Sequence, residues 1–332
     1  MKPFRSISLL LIIFSMATVR MACAQSAYSF LNYSISAKQN ALGGYAPALA
    51  DNDLVLGLFN PALSGDTLNH HADVHVHFLP AGANTSVFSY QPIIGNGGAW
   101  QFSLVHTSYG SIDAFDAAGN ALGKANAADT YLSIAKRWQV GLFRVGVQAK
   151  PFFSNLAGNR SNGLALDVGG VFQHPTQALS IGLVLRNIGF IATEYAVSSE
   201  DNIPLDVQLG ITFKPKHMPF RFSLTAIELT DFDTPTIDAE NPPSTVDKVV
   251  RHINIGSELI LSKNFNFIFA YNFKRRQDLQ LSETASGAGI SYGVWFGIKA
   301  FQFTLSRTSL GSGQGQFAFA LSTNLNQVIF RR

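Results

Sequence analysis

Four histidines crowd one short stretch: His70, His71, His75 and His77. In an extended chain alternate residues share a face, so Asp73, His75 and His77 line up together. Two imidazoles and a carboxylate are ligand types for zinc. Further ligands at matching spacing are missing, and a row of histidines on a polar interior or interfacial face is the preferred reading. Asp51 and Asp53 lie near Asn52 and Asn60. A calcium loop needs more oxygen ligands and a bidentate acid, so the pair reads as the cap of a short helix. Glu228, Asp231, Asp233, Asp238, Glu240 and Asp247 make the stretch between Leu229 and Val250 acidic, and Pro235, Pro242 and Pro243 stiffen it. It is either a solvated loop or a docking surface. The candidate docking residues are Asp231, Asp233, Asp238, Glu240 and Asp247. The glycine pairs Gly43-Gly44, Gly97-Gly98 and Gly169-Gly170 match no phosphate-binding fingerprint. They fit close packing in a sheet wall or against an inserted segment. No serine, histidine and acid arrangement has the flanks of a hydrolase. No catalytic, metal or cofactor-binding residue is assigned, and the chain reads as non-enzymatic.

These groups must be held by strands. From Ala72 onward the sequence alternates with period two. Phe265, Phe267, Phe269, Tyr271 and Phe273 point one way; Asn266, Ile268, Ala270 and Asn272 point the other. Leu205, Val207, Leu209, Ile211 and Phe213 oppose Asp206, Gln208, Gly210 and Thr212 in the same manner. About fourteen such segments follow one another, from Asp73–Leu79 to Gln316–Asn324, a number and length typical of transmembrane barrels. Among them are Ala99–Ser108, Thr130–Trp138, Leu142–Phe152, Leu164–His174, Leu179–Asn187 and Phe265–Lys274. Tight connections such as Gln139-Val140-Gly141 and Ser262-Lys263-Asn264 alternate with long ones: Tyr109 to Asp129, Ile188 to Pro204, Leu229 to Val250, and Arg275 to Ser286. Outer-membrane barrels alternate short periplasmic turns with longer outer loops.

Composition indicates the solvent. Charged residues are 14% of the 332-residue chain and hydrophobic ones 47%, with 27 phenylalanines. Typical soluble domains carry roughly 25% charge. Yet beyond the N-terminus no apolar run approaches the roughly 20 residues of a spanning helix. In lipid an unpaired backbone group costs several kcal/mol, so an alternating sheet must close on itself. The rival is a soluble antiparallel sandwich, which also alternates; the low charge speaks against it.

Lys2 and Arg5, the apolar run Leu9-Leu10-Leu11-Ile12-Ile13-Phe14, and Ala22-Cys23-Ala24 form a secretory signal with cleavage expected after Ala24. Cys23 is the sole cysteine, so the processed chain has no thiol. A lipoprotein reading of Cys23 meets Arg20 where such signals prefer an apolar residue. The formal charge of +3 is carried by Lys2, Arg5 and Arg20, which cleavage removes; nothing supports a nucleic-acid partner. The stretch from Ser26 to His71 does not alternate and reads as one or two short helices filling part of a lumen. The expected organisation is a signal peptide (1–24), an N-terminal plug segment (25–71) and an all-β, closed antiparallel transmembrane barrel (72–332).

The plug carries a resemblance. Ser36-Ala37-Lys38-Gln39-Asn40-Ala41-Leu42-Gly43-Gly44, then Ala48-Leu49-Ala50-Asp51-Asn52-Asp53 and Phe59-Asn60-Pro61-Ala62-Leu63, resemble the N-terminal signature of the PorV/PorQ family of type IX secretion, whose members look like relatives of the FadL-type barrels that carry hydrophobic molecules. Ser29-Phe30-Leu31-Asn32, the modest length, and Phe115-Asp116-Ala117-Ala118-Gly119-Asn120 look most like the PorQ branch. The resemblance implies a non-enzymatic outer-membrane subunit that anchors a surface partner (PorZ-like) beside other attachment-complex subunits. One departure is visible: outer-membrane barrels usually end on an aromatic residue, and here Arg331-Arg332 follow Phe330. The alternative is a FadL-like transporter of hydrophobic small molecules. A transporter needs an apolar route past the plug; a scaffold needs none.

Overall fold

A computed structural model describes residues 28–329 except 52, 96, 116–118, 196–201, 231–243, 280–286 and 312–313. The signal peptide expected at 1–24 lies outside the described residues. Among those residues fourteen strands form one closed antiparallel barrel. They are β1 (His71–Phe78), β2 (Asn84–Tyr90), β3 (Ala99–Phe115), β4 (Ala121–Val140), β5 (Phe143–Leu156), β6 (Asn159–Gln173), β7 (Ala178–Thr193), β8 (Asp206–Lys214), β9 (Phe220–Ala226), β10 (Ile253–Ser262), β11 (Phe265–Asn272), β12 (Ile290–Ile298), β13 (Phe301–Gly311) and β14 (Gln314–Asn324). Closure is made by β1 on β14, in register from His71↔Asn324 to Phe78↔Phe317.

The period-two pattern sorts the faces. Along β14, Phe317 and Phe319 are exposed while Ala318 and Ala320 are buried. Along β11, Asn266, Ile268, Ala270 and Asn272 are buried and Phe269 is exposed. Exposed Phe, Leu, Val and Ile recur on the outer face of every strand from Val74 to Phe319, so the barrel presents a continuous apolar belt. Only lipid accommodates it at this extent.

Four corrections concern strand ends. The stretch Tyr109 to Asp129 is not a loop: β3 and β4 stay paired as far as Phe115↔Ala121. Similarly, β5 and β6 pair out to Leu156↔Asn159, and β7 runs to Thr193. There the outward residues turn small or polar, as in Lys124, Asn126 and Ala128, so apolar alternation fades while the backbone ladder continues. Conversely, Phe273 and Lys274 leave the strand. Asn272 accepts a hydrogen bond from the Arg275 backbone N–H at 2.8 Å and caps α3 (Phe273–Asp278). The other helices are α1 (Ala37–Ala41), α2 (Thr245–Arg251) and α4 (Leu325–Ile329). Pro151 has no N–H to offer β4, and that ladder is broken between Tyr131↔Phe152 and Ile134↔Ala149.

Residues 28–68 lie inside the barrel and are almost wholly buried. Tyr28 touches the outer, long-connection end, where its hydroxyl meets Ser161 Oγ at 2.6 Å. His70 sits at the short-turn end, its N–H donating to Gln91 O at 2.8 Å. The segment therefore runs down the lumen from the outer mouth to the inner one. A testable consequence concerns Ser29, which is exposed beside the fully buried Tyr28. In a chain processed after Ala24 the thiol of Ser29→Cys is the only one. It should react with a membrane-impermeant maleimide added to intact cells, whereas a thiol at Gln177, in the turn between β6 and β7, should react only after the envelope is opened. Equal reactivity would show the segment to be threaded otherwise.

Candidate functional site

The site is the plug and the wall it rests on. Ser36 caps α1 by accepting from Gln39 N–H at 3.2 Å, and a 3-10 turn at Leu54–Leu58 is capped by Asp53, whose Oδ1 accepts from Val55 N–H at 2.8 Å. The capping role expected for Asp53 is thus observed. Asp51 does something else. It joins Lys38 of the plug to Arg221 of β9, and Arg221 reaches Glu258 of β10. Arg221 donates to Asp51 Oδ2 at 2.7 Å, to Glu258 Oε1 at 2.9 Å and to Glu258 Oε2 at 2.5 Å. Lys38 also lies 3.8 Å from Glu258 and over the Trp295 ring at 5.5 Å. Two cations and two anions, half from plug and half from wall, form a balanced ring at the inner end. An open hollow of about 320 Å³ adjoins it, lined by Leu49, Ala50, His174, Lys214 and Arg221 among others.

Glycines shape the seat. Gly146, Gly169, Gly182 and Gly210 are lumen-facing positions of β5 to β8. A Cβ on Gly146 would fall 2.3 Å from the Pro61 carbonyl carbon, one on Gly169 1.9 Å from Asn60 Oδ1, and one on Gly182 2.1 Å from Pro47 O. The plug backbone occupies the space where side chains would be. Asn60 fastens this turn to itself, donating to Pro47 O at 2.7 Å while its Oδ1 accepts from Ala62 N–H at 3.0 Å. The Asn-Pro-Ala element is thus a rigid knuckle seated in a glycine bay.

The histidine row faces the lumen. Asp73, His75 and His77 are fully buried, and Asp53 arrives from the plug, so that ligand atoms of Asp53, Asp73 and His75 lie within 4.8 Å of one another. Hydrogen bonding decides against a metal here. His75 Nδ1 accepts from Ala37 N–H at 3.2 Å. A neutral ring then carries its proton on Nε2, the atom that points at Asp53 Oδ1 3.7 Å away. A metal-ligating histidine shows the reverse, with its second nitrogen donating. Asp73 Oδ2 accepts from Leu54 N–H at 2.7 Å and Ser36 Oγ donates to Asp53 Oδ2 at 2.8 Å. The cluster is a polar clasp between plug and wall.

The apolar contacts fall into two main clusters. In one, Ala41, Leu42, Leu49, Leu56 and Leu63 of the plug pack together, with Val171, Ile268 and the partly buried Trp295 contributed by the wall. At the outer end the wall takes part through Val87, Val105, Tyr131 and Phe152. Tyr28 stacks on Tyr195 at 5.6 Å, and Phe30 meets Phe152 edge-on at 5.9 Å. A chain of hydroxyls rings this aromatic cluster: Tyr195 donates to Ser154, Ser154 to Asp129, and Tyr109 to Asp129 at 2.5 Å.

Of the acidic docking candidates, Asp231, Asp233, Asp238 and Glu240 lie outside the described residues. Asp247 is at the outer end in the first turn of α2, where it forms a capping box with Ser244. Close by, Arg251 donates to Asp278 of α3 at 2.9 Å. Burial pushes the Asp278 carboxyl above its ordinary value, the Arg251 and Lys274 cations opposing the shift. Sequence reasoning did not find the ring of Lys38, Asp51, Arg221 and Glu258. The signal available was Lys38 itself, a lone cation in a stretch of small residues.

No family model matches the sequence, and no curated protein matches it. Among solved structures, a deletion mutant of the TodX monoaromatic hydrocarbon channel is similar over 88% of this chain and 98% of its own, with 11% identity and a TM-score of 0.54. The CymD monoaromatic hydrocarbon channel aligns over 90% of this chain and 97% of its own, with 13% identity and a TM-score of 0.49. The TodX likeness bears on architecture alone. Together with the apolar belt and the polar interior, it makes the chain a multi-pass outer-membrane β-barrel.

Proposed function

We propose that the chain is a non-enzymatic outer-membrane channel for small hydrophobic molecules, opened by movement of the plug. One observation carries the reading: the plug cluster of Leu42, Leu49, Leu56 and Leu63 takes in few wall side chains, and the plug meets the wall there through glycine bays, hydrogen bonds and ion pairs. Such a body can shift without tearing an apolar core apart. The aromatic cluster at the outer end supplies the complementary part, an apolar receiving surface ringed by hydroxyls. TodX, described as a monoaromatic hydrocarbon channel, suggests the size of cargo. Cells that carry the chain should take up radiolabelled toluene or a long-chain fatty acid several-fold faster than cells that lack it. Equal uptake at low solute concentration would remove the transport reading.

A second reading follows from the outer end. Strands β3 to β7 are 14–20 residues long, whereas a bilayer needs about 9–11. One side of the barrel thus stands above the membrane as a wall, with α2 and α3 across the mouth from it. This suits a platform for a surface protein, the PorZ-like anchoring role that the sequence resemblance implies for a type IX secretion subunit. Copurification of a large surface protein from mild detergent extracts, with uptake unaffected, is the outcome that selects this reading over transport.

A further inference from the structure

At the inner end of the wall one cation faces outward, into the lipid. Lys136 of β4 alternates with the lumen-facing Ala135 and Arg137, which are buried. Trp100 of β3 is its cross-strand partner. Trp138, two residues along, shares its face. The ammonium lies over both indoles, 4.7 Å from the Trp100 centroid and 5.2 Å from that of Trp138. Among the described residues no carboxylate pairs with Lys136, and neither indole N–H donates to a protein acceptor. The ammonium of Lys136 therefore has no protein acceptor, and its neighbours on that face are the two ring faces.

The surroundings carry the same sign. The six short connections, at 91–98, 141–142, 174–177, 215–219, 263–264 and 299–300, hold Lys216, Lys263 and Lys299 and not one Asp or Glu. The turn next to the cage is apolar at its tip, with Ile93 and Ile94 exposed. Together with Asn69 and Pro92 it walls an open hollow of about 230 Å³ that Gly98 also lines. Gly98 packs on the cage: at φ +118° a Cβ there would lie 3.5 Å from Trp138 Cδ1. Aromatic side chains collect at headgroup depth in membranes, and a lysine there extends its charge toward the headgroups.

We propose that Lys136, Trp100 and Trp138 form a binding site for the phosphate of an anionic glycerophospholipid in the periplasmic leaflet. Lys136 supplies charge and a donor, and the two rings shield the ammonium from water, which strengthens its field at the phosphate. Charge complementarity selects the occupant. The whole inner rim is free of carboxylates in its turns, and the phosphate plane of that leaflet is the anion that meets it.

The test is native mass spectrometry of the full chain released from mild detergent with dioleoylphosphatidylglycerol added. The wild type should retain one lipid through gentle activation. Lys136→Gln should lower its affinity about fivefold, the worth of one lysine near an anionic surface. Lys136→Arg should keep most of it, and Lys263→Gln, on another part of the rim, should bind as wild type does. Heat-modifiable migration on gels verifies that each variant is a folded barrel. Binding by Lys136→Gln equal to wild type overturns the proposal. So does lipid A displacing the phospholipid from the same site, which would place the source in the opposite leaflet.

Discussion

Gly146→Leu should unseat the plug while leaving the barrel standing. Gly146 lies in β5 with ordinary extended backbone, so the substitution does not strain the strand itself. What it meets is backbone: a Cβ there would lie 2.3 Å from the Pro61 carbonyl carbon, 2.5 Å from its oxygen and 2.6 Å from the Ala62 nitrogen. Overfilling a packed site costs about 1–3 kcal/mol where side chains can shift. Here the obstacle is a knuckle held by its own hydrogen bonds through Asn60, so the cost lies at the upper end or beyond and falls on the plug–wall contact. Two readouts follow. Lys38, 3% exposed in the native protein, should become a trypsin site in detergent micelles, and channel openings in planar bilayers should become frequent. Heat-modifiable migration should remain. The control is Gly170→Leu: a Cβ at Gly170 finds only Arg144 O, at 3.9 Å, on the face away from the lumen, and that variant should behave as wild type. If Gly146→Leu resists trypsin and stays closed, the glycine bay is not what positions the plug.

The barrel was legible because lipid imposes a local rule. Each spanning strand must present apolar residues on one face, so Phe265 to Tyr271 or Leu209 to Phe213 announce themselves within ten residues. The rule lapses above the bilayer, which is why the paired ends of β3 and β4 read as a loop. It says nothing of where a strand gives way to a cap, and Asn272 ends β11 before the alternation does. The plug's seat was less legible for a different reason. Glycines in the strands indicated close packing, but Gly146 and Pro61, or Gly182 and Pro47, are joined by closure of the barrel, not by any nearby pattern. Asp53 was readable as a cap because its acceptor role is local, two residues away. Asp51 was misread as part of that cap because its partner, Arg221, is 170 positions distant.

That distant pair sets up the second large effect. Lys38, Asp51, Arg221 and Glu258 are balanced only as a set. Replacing Arg221 by methionine preserves much of the side-chain volume but leaves two carboxylates to Lys38 alone. Glu258 is fully buried and lies 3.8 Å from the Lys38 ammonium. Removing one member of a buried pair costs roughly 3–5 kcal/mol, because the remaining charge stays desolvated. Arg221 and Asp51 keep some contact with solvent through the adjoining hollow, so the lower figure of about 3 kcal/mol is the expectation. The loss should appear as trypsin cleavage at Lys38 at markedly lower urea than in the wild type. The double change Arg221→Met with Glu258→Gln discards one charge of each sign and leaves Lys38 facing Asp51, so it should recover most of the resistance even though one more plug–wall ion pair is gone. That recovery separates charge imbalance from lost packing. If the double variant is as labile as the single one, the ring holds the plug by shape, and the inner end of the barrel is not an electrostatic latch.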